Sequence, residues 1–500
     1  MAVTTHHHWW ERTSHTSEEP EATTATPSRR RALGMGMATA LVVGNMVGSG
    51  VFLLPASLAP YGGISLLGWV VTAFGAMALA LVFARLGRAH PRTGGPYAYS
   101  RKAFGDFVGF QTAWGYWIAV WAGNAAIAVA FVGYLGYFWE RLATNRALAA
   151  SVALAAIWLL TAVNSLGVRQ GGLVQAVTTV LKLLPLVLIG VVGVFMMDTG
   201  NFGGFNPSGD SAYGALSAVG ALTLWAFIGL ESATVPAEDV KDPDRTIPRS
   251  TILGTAIAAV VYILGTAAVM GAIPADALAG STAPFADAAK EIFGSWAGGW
   301  VAAGAAISAF GALNGWILLQ GQVPMAAARD RLFPRLFART HRPTGTDTPV
   351  IGLVVSSLLV TVLMLMNYND SLVDQFTFVI LLATLTTLVP YAYSAGAQLL
   401  FLVTDRERFS GRRFAVDLAI AALAFAYSAW MIAGSGYQVV FRGFMLLTAG
   451  IPVYVWMRWQ ATRDMRTLPE GDGDGAAAAA GDGGAAAGAK VIDLAATDGG

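Results

Sequence analysis

The 500-residue sequence contains no cysteine, which excludes a disulfide framework and a thiolate metal centre. Charge is almost as scarce. Only 12% of residues are Asp, Glu, Lys or Arg, against roughly 25% in an ordinary soluble domain, too few to cover the surface of a soluble protein of this length. Net charge is missing as well: 31 basic against 30 acidic residues leave +1, so no overall basic field points to nucleic acid. The six histidines, His6, His7, His8, His15, His90 and His341, fall in tails and loops and form no metal cluster. There is no nucleophile–base pair on the apolar segments and no phosphate-binding loop. An enzyme and an ATP-driven pump therefore find no support, and no cofactor is called for. Apolar residues are what the chain has in plenty: 55% are hydrophobic, with a mean hydropathy of +0.57. That excludes disorder for most of the chain and leaves an all-α polytopic membrane protein.

Two ends differ from the middle. Residues 1–35 form a polar tail containing Arg29, Arg30 and Arg31. The apolar run that follows is long and reads as a retained span, not a cleaved leader. Residues 461–500 form a second tail, in which Gly471–Ala489 is composed of Gly, Ala and Asp alone. With no large apolar side chain to offset ordering entropy, it is expected to be disordered. Between the tails, residues 36–460 carry twelve apolar segments, each near the ~20 residues that cross a bilayer: 36–60, 63–86, 107–138, 148–166, 173–196, 212–236, 250–273, 297–323, 350–367, 374–403, 415–434 and 438–457. Alternating them from a cytoplasmic N-terminus places 26 of the 31 Lys and Arg residues inside. Only Arg141, Arg146, Lys290 and Arg442 fall outside, and Lys182 lies within a span. This asymmetry follows the positive-inside rule and predicts twelve spans with both termini cytoplasmic.

Two spans break the apolar pattern. The first reads Gly44-Asn45-Met46-Val47-Gly48-Ser49-Gly50. Gly44 and Gly48 alone would suit close helix packing, but Gly48-Ser49-Gly50 in a row predicts an unwound turn. Unwound backbone at this depth is tolerated where it is buried in protein or lines a cavity. The sixth span reads Trp225-Ala226-Phe227-Ile228-Gly229-Leu230-Glu231. It places a carboxylate within a span beside a glycine, and such a residue is costly unless paired or functional. Interruptions five spans apart are the pointer to an inverted-repeat transporter with discontinuous helices 1 and 6. Half-helix N-termini suit a carboxylate and freed carbonyls suit an ammonium, so the expected ligand is a zwitterion such as an amino acid. A channel would need a filter motif or charge ring, and none is present.

Six stretches together are specific: GNMVGSGVFLLPASLAPYGG (44–63), GGPYAYSRKAFG (94–105), LWAFIGLESA (224–233), KDPDRTIP (241–248), APFADA (283–288) and LVPYAY (388–393). Through them the chain resembles the amino acid–polyamine–organocation superfamily, and within it the basic amino acid/polyamine exchangers, including their arginine/agmatine branch. The resemblance covers residues 36–460. It implies a five-plus-five inverted repeat with two further spans, an assembly that is often a homodimer, and a bacterial plasma-membrane location. It further implies that N–H groups at Ser49 and Gly50 hold the substrate carboxylate, and that carbonyls of Met46, Trp225 and Ile228 take its ammonium. Trp225 and Trp316 would bracket the side chain and Asn124 would sense its distal end. Tyr116, Glu231 and Tyr391 would close the site toward the cytoplasm. Where arginine-exchanging members carry one Cys and two Ser, this chain has Val120, Ala312 and Ala383, a more apolar distal pocket. Lys182 stands where other superfamily members hold a lysine in place of sodium. The expected function is amino acid/amine exchange by alternating access. The alternative is a proton-coupled permease or exporter that uses Lys182.

Overall fold

A computed structural model describes residues 34–48, 50–90, 95–166, 172–234, 240–341, 348–367, 369–406 and 411–466. Both expected tails lie largely outside these residues. Among these residues the regular structure is helical, with an isolated antiparallel bridge between His341 and Thr348.

In chain order the helices are α1 (Met35–Met46), α2 (Gly50–Leu58), α3 (Ile64–Ala89), α4 (Pro96–Phe104), α5 (Asp106–Gly136), α6 (Arg141–Thr144), α7 (Arg146–Ser165), α8 (Gly172–Met196) and α9 (Ala212–Leu224). They continue as α10 (Pro243–Ala272), α11 (Ala275–Ala279), α12 (Pro284–Phe293), α13 (Ser295–Arg329), α14 (Val350–Asn367), α15 (Leu372–Thr404), α16 (Gly411–Gly434), α17 (Tyr437–Thr448) and α18 (Gly450–Arg466). Among the described residues ten helical stretches are long and apolar enough to cross a membrane: Met35–Tyr61, α3, α5, α7, α10, α13, α14, α15, α16 and Tyr437–Arg463. The expected spans at 173–196 and 212–236 are represented by shorter apolar stretches, Pro185–Met196 and Ala212–Phe227. The last helix continues to Arg466, into the segment expected as tail.

Helix is the form that satisfies backbone groups where no water reaches them. The helices close on one another through small residues. A methyl group added at Gly68 of α3 would lie 2.1 Å from Val219 of α9, and one at Gly75 would lie 2.3 Å from the Tyr427 ring of α16. Other large apolar side chains face outward. Phe74, Phe195 and Trp300 are 73%, 86% and 76% exposed, and such a belt is stable only against lipid. The short α4, packed on α5 and α15, is amphipathic. Burial and the neighbouring Asp330 carboxylate push the Tyr97 hydroxyl above its ordinary range. It remains a donor and binds Asp330 Oδ2 at 3.0 Å, tying α4 to the end of α13.

Candidate functional site

Two helix interruptions build the site. α1 ends at Met46. Val47 leaves helical geometry at ψ 69°, and the Gly48 N–H folds back onto the Met46 carbonyl at 2.7 Å. Gly50 opens α2. The intervening Ser49 lies outside the described residues. α9 ends at Leu224, tightens into a 3-10 turn over Trp225–Phe227, and becomes extended at Ile228, with ψ 130°. Gly229 follows at φ +107°, a left-handed conformation that any side chain would strain.

The interruptions touch. A Cβ at Gly229 would stand 3.2 Å from Asn45 Cβ and 3.4 Å from the Met46 nitrogen. Asn45 Nδ2 donates to Ser232 Oγ at 2.8 Å. From α10, the buried Tyr262 hydroxyl donates to the Ala226 carbonyl at 3.0 Å. Its ring packs edge-on to Phe227 at 5.5 Å and tilted to Trp69 at 5.4 Å. This aromatic cluster pins the second interruption without helical bonds.

Between them lies a small cavity, about 30 Å³, walled by Asn45, Met46, Gly48, Trp225, Ala226 and Ile228 on one side. Tyr116, Ala119, Val120, Gly123 and Ile127 of α5, Trp316 of α13 and Thr387 of α15 complete it. Of the residues singled out in the sequence, Met46, Tyr116, Trp225, Ile228 and Trp316 share this wall. Gly50 begins the helix just beyond it. Asn124 sits on α5 between the wall residues Val120 and Ile127, and is fully buried. The side chain of Lys182, on α8, lies outside what is described.

Glu231 and Tyr391 are also fully buried and stand behind Tyr116. Glu231 accepts from the Tyr116 hydroxyl at 2.7 Å, from the Tyr391 hydroxyl and from the Gly229 N–H at 3.2 Å. One carboxylate thus joins α5, α15 and the second interruption. Three donors converging on one buried carboxyl group satisfy its acceptor capacity.

Some wall residues carried no signal in the sequence. Gly123 leaves room for the indole of Trp225: a Cβ there would meet Trp225 Cη2 at 2.8 Å. Gly123 and Ile127, with Tyr116 and Val120, recur at helical spacing on one face of α5, which was readable, but the face is apolar on all sides and the period is masked. Asn45 and Thr387 look like ordinary polar residues in spans.

The comparisons agree with this architecture. The amino acid permease family model matches residues 33–453. The chain is 37% identical over 391 residues to the cadaverine/lysine antiporter of Escherichia coli (strain K12), covering 77% of this chain and 85% of that protein. It is 31% identical to the putrescine transporter PotE of Haemophilus influenzae over 86% of this chain and 97% of that protein. To the arginine/ornithine antiporter of Pseudomonas aeruginosa it is 32% identical, over 84% and 89%. A family match that spans both interruptions and nearly every apolar helix settles the classification: this chain belongs to the amino acid permease family.

Proposed function

We propose that the protein is an amino acid/amine exchanger that works by alternating access in a bacterial plasma membrane. The observation that carries this is the meeting of two interrupted helices, Gly229 against Asn45 and Met46, at a cavity walled by Trp225 and Trp316. Relatives named as cadaverine/lysine, putrescine and arginine/ornithine transporters support a substrate of the amino acid and polyamine class. The sidedness of 26 basic residues against four supports twelve crossings with both termini cytoplasmic. Interruptions five spans apart support the five-plus-five inverted repeat. The transporter domain is then residues 36–460, flanked by cytoplasmic tails, with a homodimer as the assembly.

In this reading the N–H groups at Ser49 and Gly50 hold the carboxylate. The Met46 and Trp225 carbonyls accept one backbone N–H each, from Gly48 and Ile228. Each keeps a second lone pair for the ammonium, and Ile228 adds a third carbonyl. Trp225 and Trp316 bracket the side chain, where a cation over an indole gains about 0.5–2 kcal/mol. Asn124 meets its distal end. Tyr116, Glu231 and Tyr391 are the gate. Lys182 is the coupling cation.

Counterflow tests this. Proteoliposomes preloaded with lysine should take up labelled cadaverine or lysine faster than empty ones. Equal uptake with and without preload, or passage of ions without saturation, would remove the exchange reading.

A further inference from the structure

Behind the cavity wall a chain of side-chain hydrogen bonds has only one possible direction. Thr161 Oγ1 donates to the Ile157 carbonyl at 2.7 Å, so in its 2.7 Å contact with Ser357 it must accept. Ser357 therefore spends its proton on Thr161 and accepts from Gln320 Nε2 at 2.8 Å. The second Nε2 proton goes to the Leu353 carbonyl at 3.2 Å. A carbonyl can only accept, so both ends of this chain are fixed by backbone. Gln320 cannot flip, and its Oε1 must face Asn124. Asn124 in turn presents Nδ2 to it, at 2.7 Å. The remaining atom, Asn124 Oδ1, is buried and has no hydrogen-bond partner. The backbone of Gln320 is held too, because Ser356 Oγ donates to its carbonyl at 3.1 Å and is itself held by Trp117 Nε1 at 2.8 Å.

We propose that Gln320 is a positioning residue for substrate selection: it locks the Asn124 amide with its acceptor oxygen free, so that the site takes substrates carrying a distal ammonium. The inference rests on the exchanger reading above and specifies its substrate class. An ammonium has donors and no acceptor. Val120 and Ile127 wall the cavity from α5 and offer it nothing polar, whereas Asn124, whose Oδ1 has no partner, lies between them on the same helix. A flipped Asn124 would present N–H groups and repel the same cation. An unpaired buried oxygen is costly in the empty protein, and that cost is relieved when the ligand supplies the missing donor.

The test is competition binding of L-lysine and L-norleucine, which differ in the distal ammonium, to the purified full-length protein. Wild type should prefer lysine. Gln320→Met frees Asn124 to rotate and should reduce that preference by about tenfold or more, the worth of one hydrogen bond to a charged group, with norleucine affinity unchanged. Gln320→Glu should keep most of the preference, because a buried, protonated carboxylic acid still presents an acceptor to Asn124, while its single proton replaces one of the two that Gln320 donates. Ser357→Ala leaves the Leu353 carbonyl in place and should cost about threefold. This second variant keeps the test open if Gln320→Met does not fold. A wild-type preference that survives Gln320→Met in full, or Ser357→Ala in full where Gln320→Met does not fold, would overturn the role of Gln320. A wild type with no preference for lysine would overturn the substrate reading and this proposal with it.

Discussion

Glu231 is where residue chemistry and conformational change meet. Its carboxyl group accepts from two tyrosines on two helices and from the Gly229 N–H, so opening the site beside Tyr116 means breaking bonds to a buried acceptor. Glu231→Gln keeps the volume and removes the titratable group. We expect exchange to fall about tenfold, the effect of weakening one such bond, and its pH profile to change. A rate and profile identical to wild type would reduce Glu231 to a packing role. Gly123 makes a second residue-scale case. The atom that an added methyl would meet is the far end of the Trp225 ring, which can move. Gly123→Ala should therefore fold with a melting temperature close to that of wild type, yet shift the indole and raise KM several-fold. An unchanged KM would mean that the ring position does not matter for binding.

At the scale of elements, the interruption after α9 depends on one backbone conformation. Gly229 at φ +107° lies against Asn45 and Met46. Gly229→Ala adds strain of roughly 1–2 kcal/mol and a contact of 3.2 Å that backbone must absorb. The expected outcome is a melting temperature several degrees lower and the loss of most transport. A variant as stable and active as wild type would mean that the turn is readily rebuilt. Both interruptions were legible in the sequence because Gly48-Ser49-Gly50 and Gly229-Leu230-Glu231 violate the rule that a span is apolar and helical. Their supports were not. Tyr262 lies 36 positions from Ala226 and Gln320 lies 196 from Asn124, and nothing in local spacing says that a tyrosine or glutamine within an apolar run will find that partner. Gly123 was illegible for a related reason, since a glycine that makes room for a distant ring looks like any small residue in a packed helix.

At the scale of the whole molecule, the hydrogen bonds divide the bundle. Within one set of helices, Trp117 joins α5 to α14, and Trp158 and Thr161 join α7 to α14. Asn164 joins α7 to α13, and Gln320 joins α13 to both α5 and α14. A second set holds the interruptions: Asn45 to Ser232, Thr72 of α3 to Thr223 of α9, and Tyr262 of α10 to Ala226. The carboxyl group of Glu231 is a polar link from one set to the other. Coupling belongs to this scale. Lys182 on α8 is the proposed fixed cation, and Lys182→Met should leave lysine–cadaverine counterflow in place while abolishing any acceleration by an imposed pH gradient. A pH response that persists in the variant removes Lys182 from coupling. The stitching of α5, α7, α13 and α14 has one more consequence. In a medium without water to take over a broken bond, four helices sewn together by side chains have little freedom to slide. Their amide protons should therefore leave for deuterium slowly and together, as one cooperative block. The amides of Gly48 and Gly229 are held by short local bonds within the turns, outside that block, and should exchange on the timescale of turnover, so the clock of the transport cycle would be written in the isotope pattern of two short turns.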